Sequence, residues 1–157
     1  MVVGWLNYKI IGNMNNIKFA THLLSYNQDN WILKNIEMIG PFVEKIYITW
    51  SEFPWTYNPN ARAQFKNTSN PEIFKQSPYY DKIELIIGDW KLDEDQRNAC
   101  YDAAKRDQMD YLLVIDADEY YFINDIQNML LDIKNNPEYD YFRTPWLCFW
   151  KLFNYVV

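Results

Sequence analysis

Strand-like and helix-like segments alternate along this chain, and the alternation restricts its possible folds more than any other feature. Five segments have the apolar character of β-strands, at 17–25, 45–50, 82–87, 111–115 and 139–144. Helical patterns lie at 29–39, 93–106 and 124–135. Because strands that alternate with helices are joined by right-handed crossovers, the sequence predicts an α/β fold with a mostly parallel sheet and flanking helices.

Capping patterns mark the starts of the three predicted helices. Asp29 is the expected cap of the first helix and Asn124 that of the third, while Asp93 and Gln96 have the spacing of a capping box at the second. Cys100 lies in a stripe of small residues on the second helix, which predicts buried packing against the sheet. The strand at 111–115 is the most apolar, and this predicts a central position with both faces covered.

Composition excludes several classes of protein. The 157 residues carry a net charge of −6 at pH 7, which lacks the basic character that nucleic-acid binding needs, whereas a hydrophobic share of 49% supports a buried core. Cys100, Cys148 and the single histidine, His22, form no Cys/His cluster, so no zinc site is expected. Residues 1–13 do not have the pattern of a signal peptide or membrane span, which predicts a cytoplasmic protein.

A long irregular segment, 51–81, separates the second and third strands. Its length indicates internal structure, and Asn70 followed by Pro71 predicts one short helix. Its aromatic side chains form either a substrate lid or a packed cluster, and packing is the preferred interpretation. A glycosylation sequon also starts at Asn67. The aromatic residues are Trp55, Tyr57, Tyr79 and Tyr80.

The sharpest chemical signal is the run Asp116-Ala117-Asp118-Glu119, directly after the fourth strand. Ligands of parallel sheets collect at the carboxyl ends of the strands, and strand alternation would send Asp116 and Asp118 to the same side. Two adjacent ionised carboxylates repel each other, whereas Mg²⁺ or Mn²⁺ binds one or two of them together with phosphate oxygens. The spacing predicts a metal–diphosphate site in which Asp118 binds the metal directly and Asp116 reaches a ribose, or the metal through water. The alternative is a solvated acidic turn.

Two separate pieces of the chain carry a family resemblance. Residues 95–121 (DQRNACYDAAKRDQMDYLLVIDADEYY) resemble the core of the family 2 glycosyltransferases, in which a helix with Arg-Asn leads into a hydrophobic strand and an Asp-x-Asp motif. Residues 24–27 (LSYN) are similar to the end of that family's first strand. The resemblance implies a GT-A fold, a Rossmann-like nucleotide-diphospho-sugar transferase domain. It divides the chain into an N-terminal extension, 1–16, and a GT-A-like domain, 17–157, which is expected to be truncated and to lack its acceptor half.

The resemblance implies a nucleobase pocket at the end of the first strand. Tyr26 would stack on the base or lie at its edge, with Ser25 and Asn27 lining the same pocket. In the family an acid after the second strand contacts the base, and Glu52 stands one or two positions beyond that place. The expected ligand is a nucleotide sugar, with a UDP-sugar as the first choice.

The resemblance also assigns the diphosphate side of the site. Arg97 would bind the diphosphate or the base through paired hydrogen bonds, with an exposed helix charge as the alternative. Ala117 would line the nucleotide-sugar site between Asp116 and Asp118, the proposed ligands of Mn²⁺ or Mg²⁺. Asp89, after the third strand, either hydrogen-bonds the base or merely ends the strand.

The implied activity is metal-assisted transfer of a sugar from a nucleotide-diphosphate donor to a glycan, lipid or protein acceptor. Inverting transfer needs a general base, which the family places beyond the fifth strand, and residues 145–157 contain no Asp or Glu. Glu119 adjoins the motif and is the nearest candidate for the base, but as the strand neighbour of Asp118 it is expected to brace a loop or the acceptor side, so no catalytic base is assigned. The apolar tail, 146–157, is expected to be covered by a partner or by further chain.

Two other functions are compatible with these residues. Without an acceptor half, the chain could be a nucleotide-sugar-binding remnant or an interaction module with an aromatic surface. A phosphatase of the haloacid-dehalogenase type also has Asp-x-Asp after an apolar strand, but that family carries the motif on its first strand, usually with Thr or Val two residues on. Here the motif follows the fourth strand and Tyr120 occupies that place. The glycosyltransferase is therefore the leading hypothesis.

Overall fold

The computed structural model describes residues 17–143, which form a parallel sheet with helices on both faces. The strands are β1 (Phe19–Ser25), β2 (Lys45–Ser51), β3 (Ile83–Gly88) and β4 (Tyr111–Val114). The helices are α1 (Asp29–Ile39), α2 (Pro59–Gln64), α3 (Asp93–Arg106) and α4 (Ile123–Asn135), with 3₁₀ turns at Gly40–Phe42, Pro71–Gln76 and Tyr80–Lys82. The α/β prediction is confirmed, and the architecture is compatible with a Rossmann-like fold.

The strand order places a topological switch point in the sheet. The four strands lie in the order β3-β2-β1-β4, and every neighbouring pair is parallel. The chain runs outward from β1 through β2 to β3 and then returns to place β4 on the other side of β1. In open α/β sheets a ligand crevice lies at such a reversal, outside the carboxyl ends of the strands. The order therefore directs attention to the segments that follow β1 and β4.

Two hydrophobic clusters cover the two faces of the sheet. The larger one packs α1 and α4 against the sheet through side chains such as Ile36 and Ile126, both of which are buried. The smaller one packs α3 on the opposite face, where Cys100 and Ala103 lie against Tyr47. Small side chains let this helix approach the strands closely, and Cys100 is fully buried. The predicted packing role of Cys100 is confirmed.

Two strand predictions are wrong. β4 lies at the edge of the described sheet rather than at its centre, and each of its four residues is only partly buried. β4 is apolar because one of its faces packs against the α1/α4 cluster and the other against the α3 cluster. Neither contact requires a second neighbouring strand. Residues 139–143 form no strand, and Phe142 instead packs its ring 6.1 Å from that of Tyr111.

The predicted helix caps are also wrong, although the helices are present. Each residue expected at a cap lies inside the first turn, and none of the three cap positions makes a side-chain capping bond. The acids still favour these helix starts, because negative charge in the first turn interacts well with the helix dipole. The expected caps were Asp29, Asp93 and Asn124, and the observed cap positions are Gln28, Leu92 and Phe122.

The segment between β2 and β3 is folded over much of its length. The short helix expected after Asn70 is confirmed as a 3₁₀ turn, with the Asn70 side chain accepting a hydrogen bond at its start. The helix α2 was not predicted, although Asn58 caps it with the same Asn-Pro signal. Of the four aromatic residues, Tyr79 packs against the larger cluster. The other three, Trp55, Tyr57 and Tyr80, are exposed, so the packing interpretation holds only in part.

Some predictions concern residues outside the described range of 17–143. These are the N-terminal extension 1–16, Cys148 and the apolar tail 146–157. Among the helices that the structure describes, none has the length and apolar character needed to cross a membrane.

Candidate functional site

The two pieces of sequence with predicted function meet at one edge of the sheet. Ser25 ends β1, and the acidic run begins two residues after Val114 ends β4. β1 and β4 are paired neighbours, and the amide of Ile115 continues their ladder by donating to the carbonyl of His22 at 3.2 Å. The predicted nucleobase strand end and the acidic run therefore lie side by side at the switch point.

The acidic run folds into a tight turn, which we call the acidic loop (residues 116–119). The amide of Glu119 donates to the carbonyl of Asp116 at 2.9 Å, and the Glu119 carboxylate accepts a bond from the Asp116 amide at 3.1 Å. Burial and the neighbouring charges of Asp116 and Asp118 raise the pKa of Glu119. The expectation that Glu119 braces a loop is confirmed. The strand-alternation argument for Asp116 and Asp118 is wrong, because β4 ends at Val114 and both residues lie in the turn.

Arg97 connects α3 to the acidic loop. Its Nε donates to Asp93 Oδ1 at 2.8 Å and its Nη2 donates to Asp116 Oδ1 at 2.9 Å. The Arg97 side chain is only 13% exposed, so the interpretation as an exposed helix charge is wrong. Burial alone would lower the pKa of Arg97, but the two carboxylates outweigh it and the pKa is raised. A cation is thus held permanently beside the predicted metal-binding carboxylates.

The chemistry of the acidic loop fits a divalent cation only with help from a ligand. The Asp116 side chain is 45% exposed and Asp118 is exposed, whereas Ala117 between them is buried. Mg²⁺ and Mn²⁺ commonly take one or two protein carboxylates and complete their shells with waters and phosphate oxygens. Within residues 17–143, no group of three or more Asp, Glu, His or Cys side chains is arranged to hold a metal ion. The acidic loop therefore offers a cation two carboxylates, and waters or another ligand would have to complete its shell.

The predicted nucleobase side is held in a specific backbone conformation. Asn27 has a φ of 56°, in the left-handed region that Asn tolerates better than most residues. Its Oδ1 accepts bonds from the amide of Thr68 at 2.7 Å and from its hydroxyl at 2.9 Å. The hydroxyl of Tyr26 donates to the carbonyl of Phe65. Ser25 is buried, and its hydroxyl has no hydrogen-bond partner among residues 17–143. These contacts fix the strand end against the segment 65–68.

Asn67 is a key residue of this arrangement that the sequence analysis did not assign to the site. Its Nδ2 donates to the carbonyls of Ser25 and Ser51, both at 2.9 Å, and its Oδ1 accepts from the amides of Asn27 at 3.0 Å and Ser69 at 2.9 Å. The side chain ties the carboxyl ends of β1 and β2 together. Because Asn67 is 8% exposed and both donors are used, its sequon does not present an accessible amide.

Asn35 was also missed, although the sequence contained a signal for it. It lies on the buried face of α1, three residues after Ile32, and is 2% exposed. Its Nδ2 donates to the carbonyl of Ala117 at 2.7 Å and approaches that of Asp116 at 3.4 Å. A polar residue within an apolar helix stripe needs a buried partner, and here that partner is the backbone of the acidic loop.

Two predicted site residues are engaged elsewhere. Glu52 follows β2 and pairs with Lys66. Asp89 follows β3 and binds Lys91 at 2.7 Å and also Arg62, and these two cations lower its pKa. β3 is two strands from β1, which places Asp89 roughly 10 Å across the sheet from the switch point at the usual strand spacing. The structure therefore does not bring Asp89 to the acidic loop, and its ion pairs favour a structural role.

Comparisons with protein-family models, curated proteins and solved structures find no match for this chain. The interpretation of the site therefore rests on its geometry. That geometry places the exposed Asp118, the partly exposed Asp116 with its largely buried partner Arg97, and a hydrogen-bonded strand end at a single switch point.

Proposed function

We propose that this chain binds a nucleotide sugar through its diphosphate and a divalent cation, as the donor-binding part of a metal-dependent GT-A glycosyltransferase. The observation that carries the proposal is the ion pair of Arg97 with Asp116 at the carboxyl edge of β4, beside the exposed Asp118. A diphosphate needs positive charge on both sides. The guanidinium supplies it on one side, and a cation on the two carboxylates supplies it on the other.

Each residue of the acidic loop has a separate task in this proposal. Asp116 and Asp118 would hold Mn²⁺ or Mg²⁺, which when bound would neutralise the charge that develops on the leaving diphosphate. Arg97 would donate N–H groups to the phosphate oxygens while Asp93 holds its Nε in place. Ala117 fills the buried position between the two aspartates and thereby keeps them in one turn. The nucleoside would lie beside Tyr26 and Asn27 at the end of β1.

A binding module without transfer activity is the second candidate, and one set of observations favours it. The remaining acids predicted near the crevice already have partners: Glu119 bonds to the loop backbone, Glu52 to Lys66, and Asp89 to Lys91 and Arg62. A general base needs a carboxylate that is free to accept a proton from an acceptor hydroxyl. A phosphatase of the haloacid-dehalogenase type is less well supported, because the motif follows β4 and not β1.

Thermal unfolding in the presence of nucleotides tests the proposal. A ligand at 100 times its Kd stabilises the native state by about 2.7 kcal/mol, so Mn²⁺ with the correct nucleoside diphosphate should raise the Tm clearly. Asp118→Asn should abolish the shift, whereas Asp102→Asn, an exposed change on α3, should retain it. No shift with any of UDP, GDP, CDP or ADP would overturn the proposal. Release of the nucleoside diphosphate from the matching sugar nucleotide would then separate the transferase from the binding module.

A further inference from the structure

We propose, on the basis of the function proposed above, that two buried asparagines position the two halves of the site independently. Asn35 positions the metal–diphosphate half, and Asn67 positions the nucleoside half. Neither residue belongs to the acidic loop or to the strand end that would contact the ligand. Both act through hydrogen bonds to the backbone of those segments, so they are positioning residues.

Asn35 determines the path of the acidic loop from the α1 side. The loop leaves β4 at an edge of the described sheet, where Asp116 and Ala117 have no strand ladder to hold their carbonyls. The Asn35 amide supplies a donor to both carbonyls, and at 2% exposure it has little access to water as a substitute partner. Loss of this donor would leave the buried carbonyl of Ala117 unsatisfied, whereas that of Asp116 keeps its bond from the amide of Glu119. The cost at Ala117 is expected to shift the backbone that carries the two aspartates.

Asn67 determines the position of the β1 end from the opposite side. Four hydrogen bonds from one side chain join the carbonyls of Ser25 and Ser51 to the amides of Asn27 and Ser69. The carbonyl of Ser69 in turn accepts from the indole of Trp50 at 3.1 Å, which anchors the segment to β2. The left-handed conformation of Asn27 depends on this anchoring, because its amide donates to the Asn67 side chain and its own side chain accepts from the amide of Thr68.

The two asparagines act on separate parts of the site. Within residues 17–143, the Asn35 side chain on α1 bonds to carbonyls that follow β4, whereas that of Asn67, between β2 and β3, bonds to the ends of β1 and β2. The hydrogen bonds of one side chain share no partner with those of the other. Because the two side chains hold different backbone segments, each residue is expected to affect mainly one half of the ligand.

Two probes with Mn²⁺ separate these halves. Inorganic pyrophosphate reports the metal–diphosphate half alone, and the ratio of UDP affinity to pyrophosphate affinity reports the nucleoside half. Asn35→Ala should lower the affinity for both probes by the same factor, about tenfold, and leave the ratio of UDP affinity to pyrophosphate affinity unchanged. Asn67→Ala should leave pyrophosphate affinity within about twofold and lower the ratio about tenfold. Asn128→Ala, an exposed change on α4, should alter neither affinity.

Milder variants keep the test decisive if an alanine variant fails to fold. Asn35→Ser and Asn67→Ser retain a short polar side chain and should show the same split with smaller factors. The positioning roles would be overturned if both variants lost affinity for UDP and for pyrophosphate by the same factor, or if neither variant lost affinity for either probe. Wild-type binding would still support the proposed function in that case. If the wild-type chain binds neither probe, the proposed function fails and the positioning roles fail with it.

Discussion

The guanidinium of Arg97 lies 2.9 Å from the carboxylate of Asp116, and this ion pair joins α3 to the acidic loop across the end of β4. The same guanidinium is held by Asp93, one helical turn earlier. Positive charge is therefore fixed beside the carboxylates at the switch point before any ligand arrives. Preorganised charge of this kind does not have to be reoriented when a charged ligand binds.

Replacement of Arg97 by lysine should destabilise the fold, because one ammonium group cannot reproduce a fork that bridges two carboxylates. The burial of the Arg97–Asp116 pair is intermediate between that of surface ion pairs and that of fully buried ones. We therefore expect the free energy of unfolding to fall by about 1–2 kcal/mol. Urea unfolding at neutral pH measures the change. The matched control is Arg106→Lys, which alters an exposed arginine that pairs with Glu84 and Asp107 and should leave the free energy of unfolding nearly unchanged. Equal losses in the two variants would contradict the special position of Arg97.

His22 should make the stability of the fold sensitive to acid. Burial, and secondarily the charge of Arg97, lowers the pKa of His22 from 6.5 to about 3, and neither ring nitrogen has a hydrogen-bond partner within the described part of the chain. Between these values the unfolded chain binds the proton and the folded chain does not. The free energy of unfolding should therefore fall as the pH falls below 6.5, by up to about 1.4 kcal/mol per pH unit.

The variant His22→Leu isolates this contribution from that of the carboxylates. Urea unfolding at several pH values between 7 and 4 should give a shallower pH dependence for the variant than for the wild-type chain. Identical slopes would show that His22 is not kept neutral by the fold.

The C-terminal end of α3 offers a stabilising substitution. Gln108 has a φ of 56°, and the amide of Met109 donates to the carbonyl of Ala104 at 2.9 Å, as in a helix end that usually carries glycine. Gln108→Gly removes the strain of a left-handed side chain and should raise the free energy of unfolding by about 0.5–1 kcal/mol, net of the greater freedom of glycine in the unfolded chain. Gln108→Val should lower it. A less stable glycine variant in denaturant unfolding would refute this account of the helix end.

Much of the fold could be predicted from local patterns. The helical pattern at 29–39 predicted the bounds of α1, and the apolar runs predicted four strands to within two residues. The position of β4 could not be predicted, because an apolar strand has the same sequence at an edge when helices cover both of its faces. The helix caps failed because two of the observed cap positions, Leu92 and Phe122, are apolar and make no side-chain capping bond, so no residue-type signal marks them.

The site was predictable where function is concentrated in a short run and unpredictable where it depends on distant contacts. The acidic loop and the end of β1 were both found, and parallel pairing brought them together. Asn67 was read only as a sequon, since its four partners come from three segments that are far apart along the chain. The two alternatives for Asp89 could not be separated from the sequence, because the position of β3 two strands from β1 and the pairing of Asp89 with Lys91 and Arg62 depend on the tertiary fold.

Direct titration of the binding site tests the central claim most sharply. Calorimetric titration with UDP, GDP, CDP and ADP, each with and without Mn²⁺, measures whether the chain holds a nucleoside diphosphate through a metal. We predict saturable one-to-one binding of at least one nucleotide that depends on Mn²⁺, is lost in Asp118→Asn and is retained in Asp102→Asn. Binding that is independent of the metal, unchanged in Asp118→Asn, or absent for all four nucleotides would contradict the account.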